Sequence, residues 1–128
     1  MIWIRRLFWF AGIFGLLVLA PQYFMERRVG IDFPPEITHP EYFYGFVGVA
    51  LAWQVAFLII ATDPARYRLM IIPSIIEKFS FAATAIALLA QGRVPTLVCA
   101  FAGIDFVLGV LFVIAFVRLR SPIASEKG

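Results

Sequence analysis

Charge is scarce in this chain, and so are the residues from which most soluble active sites are built. Only 15% of its 128 residues are charged, and it carries one cysteine, Cys99, and one histidine, His39. A single cysteine excludes an internal disulfide and any cysteine-based metal site, and its place within an apolar run gives it an inert packing role. Ser-His-Asp sets, Cys-His sets, CxxC pairs and glycine-rich phosphate loops are all missing, which leaves little room for a soluble type of active site. There is no long charged or low-complexity tract, so disordered arms are not expected. The net charge of +3 does not indicate nucleic acid. Its basic residues come in pairs at the ends of apolar segments rather than as a patch, and no nucleic-acid partner is expected.

What the chain has in abundance is apolar surface. Hydrophobic residues make up 62% of it, Phe alone contributes 14, and the mean hydropathy is +0.93. These values lie well outside the range of a soluble domain and place the chain in a bilayer as one integral-membrane domain. Four apolar segments are legible, from about Leu7 to Phe24, Tyr42 to Ala61, Leu69 to Ala90 and Thr96 to Val117. The first, with Arg5-Arg6 and Val18-Leu19-Ala20, has the outline of a signal peptide. Its apolar run continues into Tyr23-Phe24, however, and a retained helix is expected. The runs are too long and too uniformly apolar for barrel strands. With short second and third connections, the expected fold is all-α, a transmembrane four-helix bundle running up-down-up-down.

Lys and Arg near the segment ends set the expected orientation. Arg5, Arg6, Arg66, Arg68, Arg118, Arg120 and Lys127 fall on one side, against Arg27, Arg28 and Arg93 on the other. Both termini are therefore expected to be cytoplasmic, with the outer loop of about Met25 to Glu41 facing out. In that loop Glu36, His39 and Glu41, near Arg27 and Arg28, form a minor constellation. It reads as a solvated loop stiffened by Pro34, Pro35 and Pro40 in preference to a metal site, and no metal is expected.

The informative charges lie inside the segments. Glu77-Lys78 interrupts an otherwise apolar run, and at about 1.5 Å of rise per residue Lys78 lies about 15 Å from Arg68, near the middle of a hydrocarbon core about 30 Å thick. On a helical wheel Ser74, Glu77, Ser80, Phe81 and Thr84 share one arc and Lys78, Ala82 and Ala85 the next, so both charges can point inward. Ile72, Ile76, Phe79, Ala83 and Ile86 fall on the far side, towards lipid. Asp105 shares its face with Ala102, Gly109 and Phe112, and Gln54 shares its face with Ala50, Phe57 and Ala61. Gln54, Glu77, Lys78 and Asp105 come within about three helical turns of one another in depth and are expected to form one polar layer. Charges at that depth should be paired. Two acids and one base cannot all be neutralised internally, so one acid is expected to hold a proton at rest or to be matched by something cationic or proton-donating that binds there.

With these residues in view the chain resembles the DoxX-like set of small bacterial four-helix membrane proteins. The resemblance spans nearly the whole chain: the basic start, Thr38-His39-Pro40-Glu41-Tyr42-Phe43-Tyr44-Gly45-Phe46 closing the outer loop, the turn Asp63-Pro64-Ala65-Arg66-Tyr67-Arg68, then Glu77-Lys78 and Asp105. DoxX-type proteins are associated with quinone-linked oxidation of sulfur compounds, so the resemblance implies the cell inner membrane and a quinone in the polar layer. The layout is also similar to the four-helix fold of sterol isomerases and sterol-binding proteins, with acidic residues around a lipophilic ligand. The His and Trp pattern of those isomerases is absent, and their activity is not carried over.

The function expected is binding of a small lipophilic ligand, a quinone or a lipid, by Glu77, Lys78, Asp105 and Gln54. Two alternatives stay open. One is a membrane enzyme, an acid/base isomerase or redox accessory subunit using Glu77 or Asp105. The other is a structural subunit whose small residues, Gly12, Gly15, Gly45 and Gly48, receive helices of a membrane-protein partner or of a second copy.

Overall fold

The computed structural model describes residues 2–32 and 36–119; Pro34, Pro35, Arg120 and the tail from Ser121 to Gly128 lie outside the described residues. Four long helices carry the fold: α1 (Ile2–Leu19), α3 (Pro40–Thr62), α4 (Ile71–Ala90) and α5 (Leu97–Arg118), with a short α2 (Glu26–Asp32) between the first two. All four long helices are long and apolar enough to cross a membrane. The protein is a multi-pass membrane protein of all-α class, a transmembrane four-helix bundle with successive spans antiparallel. Only 22% of the α5 span is buried within the chain, so most of its apolar surface needs lipid or another protein against it.

Local chemistry explains the helix ends. Pro40 occupies the first turn of α3, where its missing N–H costs nothing, and Glu41 follows it close to the positive end of the helix dipole. Pro73 likewise sits in the first turn of α4. That helix ends at Gly92, which adopts φ +71°; its N–H reaches Leu89 O at 3.0 Å and the Arg93 N–H reaches Leu88 O at 2.9 Å. The paired bonds close the last carbonyls and turn the chain back.

Besides shifts of one or two residues at the ends of α3, α4 and α5, the first span and the outer loop differ from the sequence reading. α1 starts at Ile2 instead of Leu7 because Ile4, one turn before Phe8, is buried with it in the core while Arg5 and Arg6 stay exposed on the same helix. At its other end Pro21 lies in a 3-10 turn, Ala20–Phe24. The stretch read as an outer loop contains α2, with Glu26 in its first turn and an Arg28–Asp32 ion pair of 3.0 Å one turn apart.

The long helices associate as two hairpins. α1 packs along α3, and α4 packs along α5. Gly12 and Gly15 let α1 approach closely, since a Cβ at Gly12 would lie 2.7 Å from the Leu58 side chain. On the other hairpin a Cβ at Gly109 would lie 2.9 Å from the Phe79 ring. Phe79 therefore belongs to the α4–α5 seam and not to the lipid face expected from the wheel, because α4 leans mainly on α5. The hairpins are joined by an aromatic core near the end that carries Arg68 and Arg118. There Phe8 stacks on Phe112 at 4.4 Å between ring centroids, and Phe57 meets Phe112 edge-on at 5.2 Å. Arg68 clasps the same end, donating from Nε to Phe116 O at 3.1 Å with its guanidinium 3.8 Å from the Phe116 ring centroid. Between α3 and α4 there is little direct packing, and a groove is left.

Candidate intramembrane site

α4 buries Ile71, Ser74, Lys78, Ala82 and Ala85, a stripe with the i, i+3, i+4 spacing of one helix face. The small residues at 82 and 85 bring α4 close to α5 and set Lys78 against Asp105. Lys78 is 5% exposed, and its Nζ donates to Asp105 Oδ1 at 3.4 Å. Glu77 Oε2 lies 3.6 Å from the same nitrogen, and the Phe57 ring centroid lies 5.1 Å from it. The ammonium is thus enclosed by two carboxylates and an aromatic face, and is directed into the bundle. Three of the four residues of the expected polar layer come together in this way.

Gln54 is placed elsewhere. It is 2% exposed and lies on the buried stripe of α3 one turn from Phe57, but its side chain belongs to the α1–α3 seam. Its Nε2 donates to Ala50 O at 2.8 Å, and its Oε1 is packed against Gly15. That oxygen accepts no hydrogen bond among the described residues. The helical wheel gives depth and face, which Gln54 shares with the ion cluster; it does not say which neighbouring helix the face meets.

Of the other polar residues of α4, Ser80 and Thr84 open onto the groove, whereas Ser74 is buried and donates to Met70 O at 2.7 Å. Ser80 and Thr84 are exposed, and Glu77 lies between the groove and Lys78. The cavity has a volume of about 810 Å³ and is open along one side. Trp53 and Pro73 bound it towards the aromatic core, Glu77 and Ser80 lie midway, and Tyr42 and Thr84 border it near the α2 end. At about 1.5 Å per residue, α4 rises about 16 Å between Pro73 and Thr84, so the groove runs along about half a bilayer. Glu77 Oε2 is buried and accepts no hydrogen bond among the described residues; its one polar contact is the ion pair to Lys78. Glu77 and Asp105 thus share one base, Lys78. On the arc of Glu77, Ser80 and Thr84 face the groove instead of the packed interior, and Ser74 alone stays buried.

Comparison with known protein families, with curated proteins and with solved structures finds no match. No family is shown for the chain. The site is therefore argued from its own geometry.

At the α2 end Tyr44 Oη donates to Glu26 Oε2 at 2.9 Å, and Tyr23 stacks on Tyr44 at 6.0 Å between centroids. These contacts tie α2 and the end of the first span to α3, a connection that sequence reading did not foresee. Paired tyrosines at a segment end were its only trace. Of the loop constellation, His39 Nδ1 lies 3.4 Å from Glu41 Oε1, both exposed, and no group of three metal-ligating side chains converges among the described residues. Gly12 and Gly15, read as faces for a partner helix, are occupied by α3 within the chain, and Gly48 lies under the Tyr23 hydroxyl. Gly45 is open, with nothing within 4 Å of a Cβ built on it, and it lines the groove.

Proposed function

We propose that this membrane protein binds a small lipophilic ligand in the groove between α3 and α4, with Glu77 as its polar contact and the Lys78–Asp105 pair holding Glu77 in place from behind. The observation that carries this reading is the coincidence of a cavity of ligand size with a carboxylate, Glu77, that lines it midway along a bilayer span. A quinone or a lipid suits the length of the groove, and entry from the hydrocarbon needs no gate because one side is open. Gln54 supports the fold of the first hairpin in this reading and does not touch the ligand. The DoxX-like resemblance and residence in the inner membrane with both termini cytoplasmic belong to the same proposal. Arg5, Arg6, Arg66, Arg68 and Arg118 at one end of the bundle, against Arg27, Arg28 and Arg93 at the other, support the orientation.

Filling the groove without touching the fold tests the reading. Gly45→Leu projects into the cavity, whereas Gly103→Leu adds the same bulk at a helix position that is equally open and does not line it. Mass spectrometry of lipid extracts from the purified proteins should show one species enriched in wild type and in Gly103→Leu and depleted in Gly45→Leu. Identical extracts from all three would refute ligand binding in the groove. The enzymatic alternative rests on Glu77 as an acid that lines the cavity, and it is decided by whether the recovered molecule is chemically changed on incubation with wild type but not with Glu77→Gln.

A further inference from the structure

The charge distribution around the groove narrows the chemistry of its occupant. Two charged side chains line it, Glu41 near the α2 end and Glu77 midway, and both are acidic; no Lys, Arg or His lines it among the described residues. Lys78, beside Glu77, is turned away, since its Nζ is held by Asp105 and Glu77 and faces Phe57, with its side chain only 6% exposed; His39, 3.4 Å from Glu41, lies outside the lining. Glu77, Asp105 and Lys78 together carry one negative charge more than positive when all are ionised. Four aromatic residues, Tyr42, Phe46, Trp53 and Phe81, border the same cavity. Acidic groups combined with aromatic faces are the chemistry that receives a desolvated cation.

We propose that the groove selects lipophilic monocations, amphiphilic amines or quaternary onium compounds, which supply the positive charge that the Glu77–Lys78–Asp105 cluster lacks. This rests on the ligand-binding reading above and sharpens it. Anionic amphiphiles meet Glu41 and Glu77 as like charges. Zwitterionic phospholipid headgroups bring a phosphate to the same acids. A neutral quinone finds the Thr84 hydroxyl, but it leaves the surplus carboxylate without a counter-charge. The Ser80 hydroxyl is already donated to Glu77 O at 3.1 Å. A monocation satisfies both the charge and the apolar lining at once.

Tetraphenylphosphonium and tetraphenylborate have nearly the same shape and opposite charge, and they make the test direct. Each is titrated calorimetrically into the protein in dodecylmaltoside, a detergent with neither charge nor amine, alongside a short-chain ubiquinone. The expected result is saturable one-to-one binding of the phosphonium, no saturable binding of the borate, and at least tenfold weaker phosphonium binding in both Glu77→Gln and Gly45→Leu. Gly45→Leu leaves the ion cluster intact, so the test stands even where Glu77→Gln fails to fold. If the quinone binds as tightly as the phosphonium and Glu77→Gln changes neither, the selectivity for cations is refuted while ligand binding in the groove survives. If no probe binds, both readings fall, and crosslinking of two chains by Gly45→Cys in a Cys99→Ser background then shows the groove to be the seat of a second copy.

Discussion

Lys78→Met removes the ammonium and keeps most of the apolar stem, so it isolates the charge in the intramembrane cluster. Nζ lies 3.4 Å from Asp105 Oδ1 and 3.6 Å from Glu77 Oε2. At an effective dielectric constant of about 20, each attraction amounts to about 5 kcal/mol. Desolvating the three ions offsets most of that sum, at several kcal/mol per ion. The loss on removing one partner is governed by what remains: two carboxylates with no counter-charge, which in buried sites costs about 3 to 5 kcal/mol. Both carboxyl side chains keep 20% exposure, so the lower end, about 3 kcal/mol, is the expected value. Unfolding in mixed dodecylmaltoside and dodecylsulfate micelles, followed by the loss of helical circular dichroism, measures it. Asp105→Asn and the double variant complete a cycle. The double variant should fall short of the summed single effects by about 2 kcal/mol, because the second change removes a charge that the first has already orphaned. A Lys78→Met protein within about 0.5 kcal/mol of wild type, or a fully additive cycle, would refute the view that this cluster joins α4 to α5.

Three further outcomes are expected from the packing. Gly15→Ala places a Cβ on Gln54 Oε1 and should cost about 1 to 3 kcal/mol in the same unfolding assay, with Gln54→Ala restoring most of the loss in the double variant; no rescue would mean that Gln54 is not what the glycine accommodates. Arg68→Lys keeps the charge but loses the planar stacking on Phe116 and the directed bond to its carbonyl, so it should destabilise by about 1 to 2 kcal/mol, nearly as much as Arg68→Met. Equal stability of Arg68→Lys and wild type would show that charge alone matters there. Tyr44→Phe removes the 2.9 Å bond to Glu26, so hydrogen exchange in Glu26–Asp32 should accelerate while exchange in α4 and α5 does not change.

Much of the architecture was legible because a bilayer leaves few choices. Runs such as Leu97–Arg118 are long enough to span and too apolar to do anything else, and the polar breaks between them sit at Asp63-Pro64 and Gly92, where the backbone must turn. The facing of α5 was legible for the same reason. Ala102, Gly109 and Phe112, on the face of Asp105, are buried; on the opposite face Ile104, Val107 and Ile114 are exposed and Leu111 is half-buried. α2 was not legible, because a seven-residue helix has too short a period to be distinguished from a loop and depends on contacts such as Tyr44 with Glu26.

Glu77, Lys78 and Asp105 illustrate where sequence information ends. Local composition by itself determined that three charged groups lie deep within the spans, at similar depth, two acids against one base, because depth follows from helical rise and charge from residue type. Which helices meet is a property of the whole chain. The tertiary structure decided that α4 leans on α5, so that Lys78 is consumed by Asp105 and Glu77, while Gln54 is taken by Gly15 on the opposite seam. It also decided that α3 and α4 stand apart, which exposes Glu77, Ser80 and Thr84 to a groove that no helical wheel contains. A wheel describes one helix, whereas a cavity exists only between two.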